Sequence, residues 1–71
     1  MENKFCKRLN ELREEKKFSM EELAKKVETT RMSIWRYENG EADPPSEILV
    51  KLADIFSVST DYLLGRADYD N

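Results

Sequence analysis

The chain has no histidine, one cysteine, two glycines and two prolines in 71 residues. Without histidine it lacks the usual general base at neutral pH and has no imidazole to complete a zinc site. One cysteine cannot form an internal disulfide. With no histidine to activate it, Cys6 reads as a packing residue of the first helix rather than a nucleophile, and it fits a reducing cytoplasm. No apolar run approaches the ~18 residues of a membrane span, and no signal-peptide pattern opens the chain. A glycine-rich phosphate loop is missing, and the chain is too short to enclose a substrate pocket. These absences argue against an enzyme, a metal or cofactor protein, and a membrane protein.

What is present is one small, charged domain. Charged residues make up 38% of the chain and aromatic residues 10%. Periodic Leu, Ile, Val and Phe are enough for one modest core. With no disulfide or metal to staple it, helix-on-helix packing is the remaining route to stability, with dimerisation as a further aid. The net charge of −3 is unevenly spread. Residues 1–36 carry ten Lys or Arg against seven Asp or Glu, and residues 37–71 carry two against eight. Salt screens charges beyond about 10 Å, so the basic half permits contact with nucleic acid despite the acidic total.

Apolar periodicity predicts five short helices and no strand, an all-α architecture. Residues 3–16 carry Phe5, Leu9 and Leu12 on one stripe, with Asn3 as a possible cap. Ser19 followed by Glu22 is a capping box, and Phe18 before it can staple onto Leu23. The second helix runs from Met20 to Val27 and buries Leu23, Ala24 and Val27. Met20, Glu21, Lys25 and Lys26 lie outside. After a short turn at Glu28 and Thr29, Thr30 caps a third helix that Asn39 and Gly40 stop. Asp43 is predicted to cap a fourth helix with Pro44 and Pro45 in its first turn, running to about Phe56. Its core candidates are Ile48, Leu49, Leu52, Ala53, Ile55 and Phe56. Ser59 or Thr60 caps a fifth, carrying Tyr62, Leu63 and Leu64, and Gly65 ends it. Residues 1–65 thus form the domain, and 66–71 are a short acidic tail expected to fray.

The stretch from Thr29 to Gly40 stands out. If Ile34 faces the core, Tyr37 and Thr30 lie near it, and Met32, Arg36 and Asn39 point the opposite way, with Ser33 and Trp35 on the flanks. Two arginines, a methionine and a tryptophan on an outer surface want a partner that is negative and has flat apolar features, such as a DNA groove. Two short helices joined by a three- or four-residue turn have helix-turn-helix spacing, in which the second helix projects into a major groove.

The chain resembles the Cro and repressor type of helix-turn-helix regulator, the XRE family, over residues 5–65. The resemblance is carried by Arg-Leu-Asn-Glu-Leu-Arg (8–13), Ser-Met-Glu-Glu-Leu-Ala (19–24), Thr-Arg-Met-Ser-Ile-Trp-Arg-Tyr-Glu-Asn-Gly (30–40), Leu-Val-Lys-Leu-Ala (49–53) and Val-Ser-Thr-Asp-Tyr-Leu-Leu-Gly (58–65). It implies a five-helix, lambda-repressor-like domain that binds double-stranded DNA, as a homodimer on a palindromic operator. By position it implies base reading by Arg31, Met32 and Arg36, with Trp35 able to touch a thymine methyl or a sugar. Phosphate contacts fall on Thr30 and Asn39, with Ser33 beside them, and on the start of the second helix at Ser19. An internal ion pair joins Arg13 to Glu38, although the residues alone equally allow Arg13 as a surface cation. Val58 and Tyr62 are implied in a dimer seam, and core packing accounts for each equally well.

Three departures from the family pattern matter. Met20 replaces a glutamine that contacts DNA. Glu28 replaces the turn glycine, where a positive φ would strain a glutamate. The loop after the third helix, often basic, is here Glu41-Ala42-Asp43, which should reduce phosphate contacts. The acidic second half and exposed Trp35 keep a second reading open: a protein-interaction module on a helix-turn-helix scaffold, such as an antitoxin.

Overall fold

A computed structural model describes residues 4–68. The helices follow in order: α1 (Lys4–Glu15), α2 (Met20–Lys26), α3 (Arg31–Glu38), α4 (Ser46–Phe56) and α5 (Thr60–Leu63). Among the described residues there is no strand. The expected cap at Asn3 lies outside the described residues, as do the last three residues of the acidic tail.

One leucine or isoleucine from each helix is fully buried: Leu9, Leu23, Ile34, Leu52 and Leu63. Each such side chain contributes about 1.5–3 kcal/mol relative to exposure, so this single cluster is the main reason the helices stay together. Phe5 meets Tyr37 edge-on at 6.5 Å between ring centroids, which joins α1 to α3. Phe18 and Phe56 approach at 6.3 Å, which closes the α1–α2 turn onto α4. Met20, expected outside, is half-buried and packs against the core.

The helix starts are local chemistry. Ser19 Oγ accepts the Glu22 N–H at 3.0 Å while Glu22 accepts the Ser19 N–H at 2.9 Å, the full capping box. Thr30 caps α3 through the Ser33 N–H, and Ser59 caps α5 through the Tyr62 N–H. The fourth start differs from the prediction. Pro45, not Asp43, is the N-cap of α4, with φ −64° and ψ 160° and no side-chain cap bond. A proline disfavours the α region in the residue before it, so Pro45 keeps Pro44 extended and a helix cannot begin at Asp43.

All five helices end alike. A residue with positive φ follows each: Lys17, Glu28, Gly40, Ser57 and Gly65. In each case its N–H bonds a carbonyl three residues back, and the next N–H bonds one five back, as with Phe18 to Arg13 and Thr29 to Ala24. This is the Schellman closure. Only two of the five left-handed positions are glycine, so Lys17, Glu28 and Ser57 hold a conformation that L side chains disfavour by about 1–2 kcal/mol each.

Leu64 is exposed, as is Val50 on the outer side of α4. Two further expectations are corrected. Ile48, Leu49 and Ile55 are only half-buried. The beginning of the tail is tied down: Arg66 N–H bonds the Asp61 carbonyl at 2.8 Å, and Arg8 bonds the Ala67 carbonyl at 2.6 Å.

Candidate nucleic-acid interface

α3 presents two chemically distinct faces. Ile34 and Tyr37 are buried, with Tyr37 resting on Phe5. Arg31, Met32, Trp35 and Arg36 are exposed, Met32 by 54% and Trp35 by 37%. The four outer side chains lie together at spacings of one, three and four, so they form one continuous surface. Guanidinium forks can read guanine O6 and N7, and methionine and indole can meet a thymine methyl.

The end of α3 is fixed to α1. Arg13 Nε and Nη2 donate to Glu38 Oε2 and Oε1 at 2.5 and 3.1 Å. Asn10 Nδ2 donates to the same Oε1 at 2.8 Å, and Arg13 Nη1 donates to the Phe18 carbonyl at 2.9 Å. The Glu38 side chain is only 3% exposed and Arg13 14%. The hydrogen bond to Glu38 raises the Arg13 pKa above its ordinary value, outweighing the opposing effect of burial. Arg13 is therefore a brace inside the domain rather than a surface cation. Asn10 escaped the sequence reading, although it lies three residues before Arg13 and so shares its side of α1.

The start of α3 is held more loosely. Glu28, at φ 60° in the turn, accepts a 2.8 Å bond from Lys51 Nζ of α4. That bond, with the nearby ammonium charge, lowers the Glu28 pKa. No local pattern announces this pair, because its members are 23 residues apart.

The predicted phosphate-contacting groups are not equivalent. The first turn of α3 holds no acid and begins with Arg31, so its N–H groups and dipole favour an anion. Thr30 donates its hydroxyl to Ser33 Oγ at 3.0 Å, which leaves the Ser33 hydroxyl as the outward donor. Asn39 donates through Nδ2 to the Trp35 carbonyl at 2.8 Å, fastening the helix end. By contrast, the first turn of α2 carries Glu21 and Glu22, and Ser19 is engaged on both sides by its capping box. Two carboxylates there oppose a phosphate.

Val58 is half-buried against the core, and Tyr62 lies under the Arg8 guanidinium, 4.1 Å from ring centroid to carbon. Leu64 stands exposed two residues beyond Tyr62 and adds apolar surface there. Cys6 faces the end of α3 beside Gly40, and burial pushes its thiol pKa up, which disfavours the reactive thiolate. Among the described residues there is no group of three His, Cys, Asp or Glu that could hold a metal. Among the described residues no helix is long and apolar enough to cross a membrane.

The helix-turn-helix family profile matches residues 9–63, which includes both α2 and α3. The chain belongs to the helix-turn-helix family. This helix-turn-helix domain is 42% identical over 64 residues to YobD of Bacillus subtilis, an uncharacterized HTH-type transcriptional regulator, covering 90% of this chain and 57% of that protein. It is 38% identical over 60 residues to the HTH-type transcriptional regulator ImmR of the same organism, covering 84% and 47% respectively. The chain thus spans about half the length of the curated relatives it matches. Among solved structures, the P22 c2 repressor in complex with a synthetic operator superposes with a TM-score of 0.85 at 28% identity, over 89% of this chain and 96% of that one. The fold is that of the Cro/C1-type repressor DNA-binding domains.

Proposed function

We propose that this domain is a sequence-specific double-stranded DNA-binding transcriptional regulator, a repressor without enzymatic activity, that sits on a palindromic operator as a homodimer with α3 in the major groove. The exposed face of α3 carries this reading. Two arginines beside two large apolar side chains exposed to water, Met32 and Trp35, stand on the helix that Ile34, Tyr37 and Glu38 fix from its inner side. That anchorage gives the reading face a defined aim. Arg31 and Arg36 take guanines, Met32 and Trp35 take methyl and sugar surface, and Thr30, Ser33 and the first N–H groups of α3 take phosphate. Asn39 orients the helix end, and Ser19 contributes least among the phosphate groups because of Glu21 and Glu22. Val58, Tyr62 and Leu64 supply the dimer seam. The operator complex of the P22 c2 repressor supports the assignment to DNA.

The test is a selection of bound duplexes from random DNA, followed by Arg31→Ala and Arg36→Ala. Each substitution is expected to weaken specific binding by about 1–3 kcal/mol and relax one base pair per half-site. A selected duplex bound equally well by both variants overturns the assignment. The exposed acids Glu41 and Asp43 beside the α3 end favour the protein-interaction module as the second reading. Random duplex DNA separates the two: a regulator binds it at low salt and releases it as salt rises, and an interaction module does not bind it.

A further inference from the structure

We propose that Asn10 of α1 is a positioning residue for base reading: its bond to Glu38 sets the roll of α3 about its own axis, and with it the points at which Arg31 and Arg36 meet the bases. The consequence at the bases rests on the DNA reading above, and the effect on α3 does not.

Glu38 is held to α1 at three points. Arg13 Nε and Nη2 take its two carboxylate oxygens, and Asn10 Nδ2 donates to Oε1 at 2.8 Å. The two partners constrain it differently. Arg13 reaches Glu38 through a long side chain with much rotamer freedom, and its Nη1 is bound to the Phe18 carbonyl in the α1–α2 turn. Such an arm can follow a carboxylate that shifts. Asn10 is short, half-buried and one turn earlier on α1, so it keeps its bond only while Glu38 stays in place. A paired carboxylate only accepts, which fixes the Asn10 amide with Nδ2 toward Oε1. The Glu38 side chain is almost dry, so little water is at hand to replace that donor.

Helix geometry carries the constraint to the outer surface. Arg31 is seven positions before Glu38, two turns along the same side of α3. Arg36 is two positions before Glu38, about 200° around the helix. A roll of α3 therefore moves the two guanidinium groups in opposite directions. At an outer radius of about 6 Å, a roll of about 10° displaces a side-chain tip by about 1 Å. A binding constellation tolerates about 0.5 Å. Ile34 and Tyr37 hold α3 against the core, but apolar contact is non-directional and fixes the roll less sharply than a hydrogen bond does.

The test compares Asn10→Leu with the wild-type 71-residue chain. Residual dipolar couplings of the α1 and α3 backbone amides, measured without DNA, report the orientation of one helix against the other. They are expected to show α3 rolled in the variant. Binding to a duplex selected from random DNA should weaken about tenfold, the worth of one impaired base contact, while binding to random duplex changes by less than about twofold. Ala53→Gly, inside α4, lowers Tm without touching Glu38 and should leave the ratio of the two affinities unchanged. Where Asn10→Leu does not fold, Asn10→Ala, which gains helix propensity, takes its place. Unchanged orientation of α3 overturns the proposal, as does an equal fall in the ratio for Ala53→Gly. A rolled α3 with an undiminished ratio overturns the step from α3 to the bases. A chain that selects no duplex fails the DNA reading, and the couplings still decide whether Asn10 sets the roll.

Discussion

The two ends of α3 are held by the same kind of interaction with opposite physics. At its end, Glu38 meets Arg13 in an almost dry setting, with 3% and 14% of the side chains exposed, and Asn10 completes the carboxylate's partners. Before its start, Glu28 meets Lys51 with 76% and 39% exposed. A carboxylate in a dry setting requires its partners, because removing one leaves a desolvated charge. A carboxylate in water loses almost nothing when its partner leaves. The end also stops at a glycine, Gly40, whereas the turn before the start bends through a glutamate. α3 is thus fixed from its C-terminal end, and its N-terminal end, where base contacts are proposed, is the softer one.

The largest way to break this asymmetry is Glu38→Ala. It should destabilise the domain by about 3 kcal/mol by stranding Arg13 and Asn10, lowering Tm by roughly 10–20 °C in thermal denaturation. The double variant Arg13→Met with Glu38→Met should lose less than Glu38→Ala, because no unpaired charge remains. A double variant worse than the single would mean that the pair is net stabilising beyond satisfying its own desolvation. Next comes Gly40→Ala. At φ +72° a Cβ is disfavoured by about 1–2 kcal/mol, and it would stand 3.4 Å from Cys6 Sγ. Denaturant unfolding measures the loss.

Glu28→Gly runs the other way. Relief of the left-handed strain should outweigh the loss of an exposed pair, so Tm rises. A fall in Tm would show the Lys51 contact to be stronger than its exposure implies. The smallest effect is Lys51→Ala, a slight loss at low salt that disappears at high salt. The pH dependence follows from the same pair. Glu28 has a lower pKa folded than unfolded, because of the Lys51 bond. Its contribution is present above the ordinary glutamate range and lost as pH falls through the folded value. Wild type and Lys51→Ala should therefore converge in Tm only once the pH has fallen below the folded value, which lies under the ordinary glutamate range.

Much of the fold was legible because its signals act within a few residues. Ser19, Thr30 and Ser59 cap the N–H of a residue three positions on, and nothing distant can easily override that. The exposed face of α3 was legible for a similar reason: once Ile34 is buried, helical geometry places Met32 and Arg36 outside. The error at Asp43 was avoidable, since Pro44-Pro45 excludes a helix start there on local grounds. The hydrophobic pattern misjudged Met20, because a short helix shows too few turns to define its buried side.

Helix order, capping and the chemistry on α3 were thus determined by the sequence itself, through interactions that close within one turn. Tertiary structure decided the rest. Asn10 and Arg13 converge on Glu38 across 28 and 25 residues, Lys51 finds Glu28 across 23, and Arg8 holds the Tyr62 and Ala67 carbonyls across 54 and 59. Such partners share no local signal. They meet only because five buried side chains fix the angles between helices, and only then do Lys17, Glu28 and Ser57 accept a left-handed turn that glycine would adopt more readily.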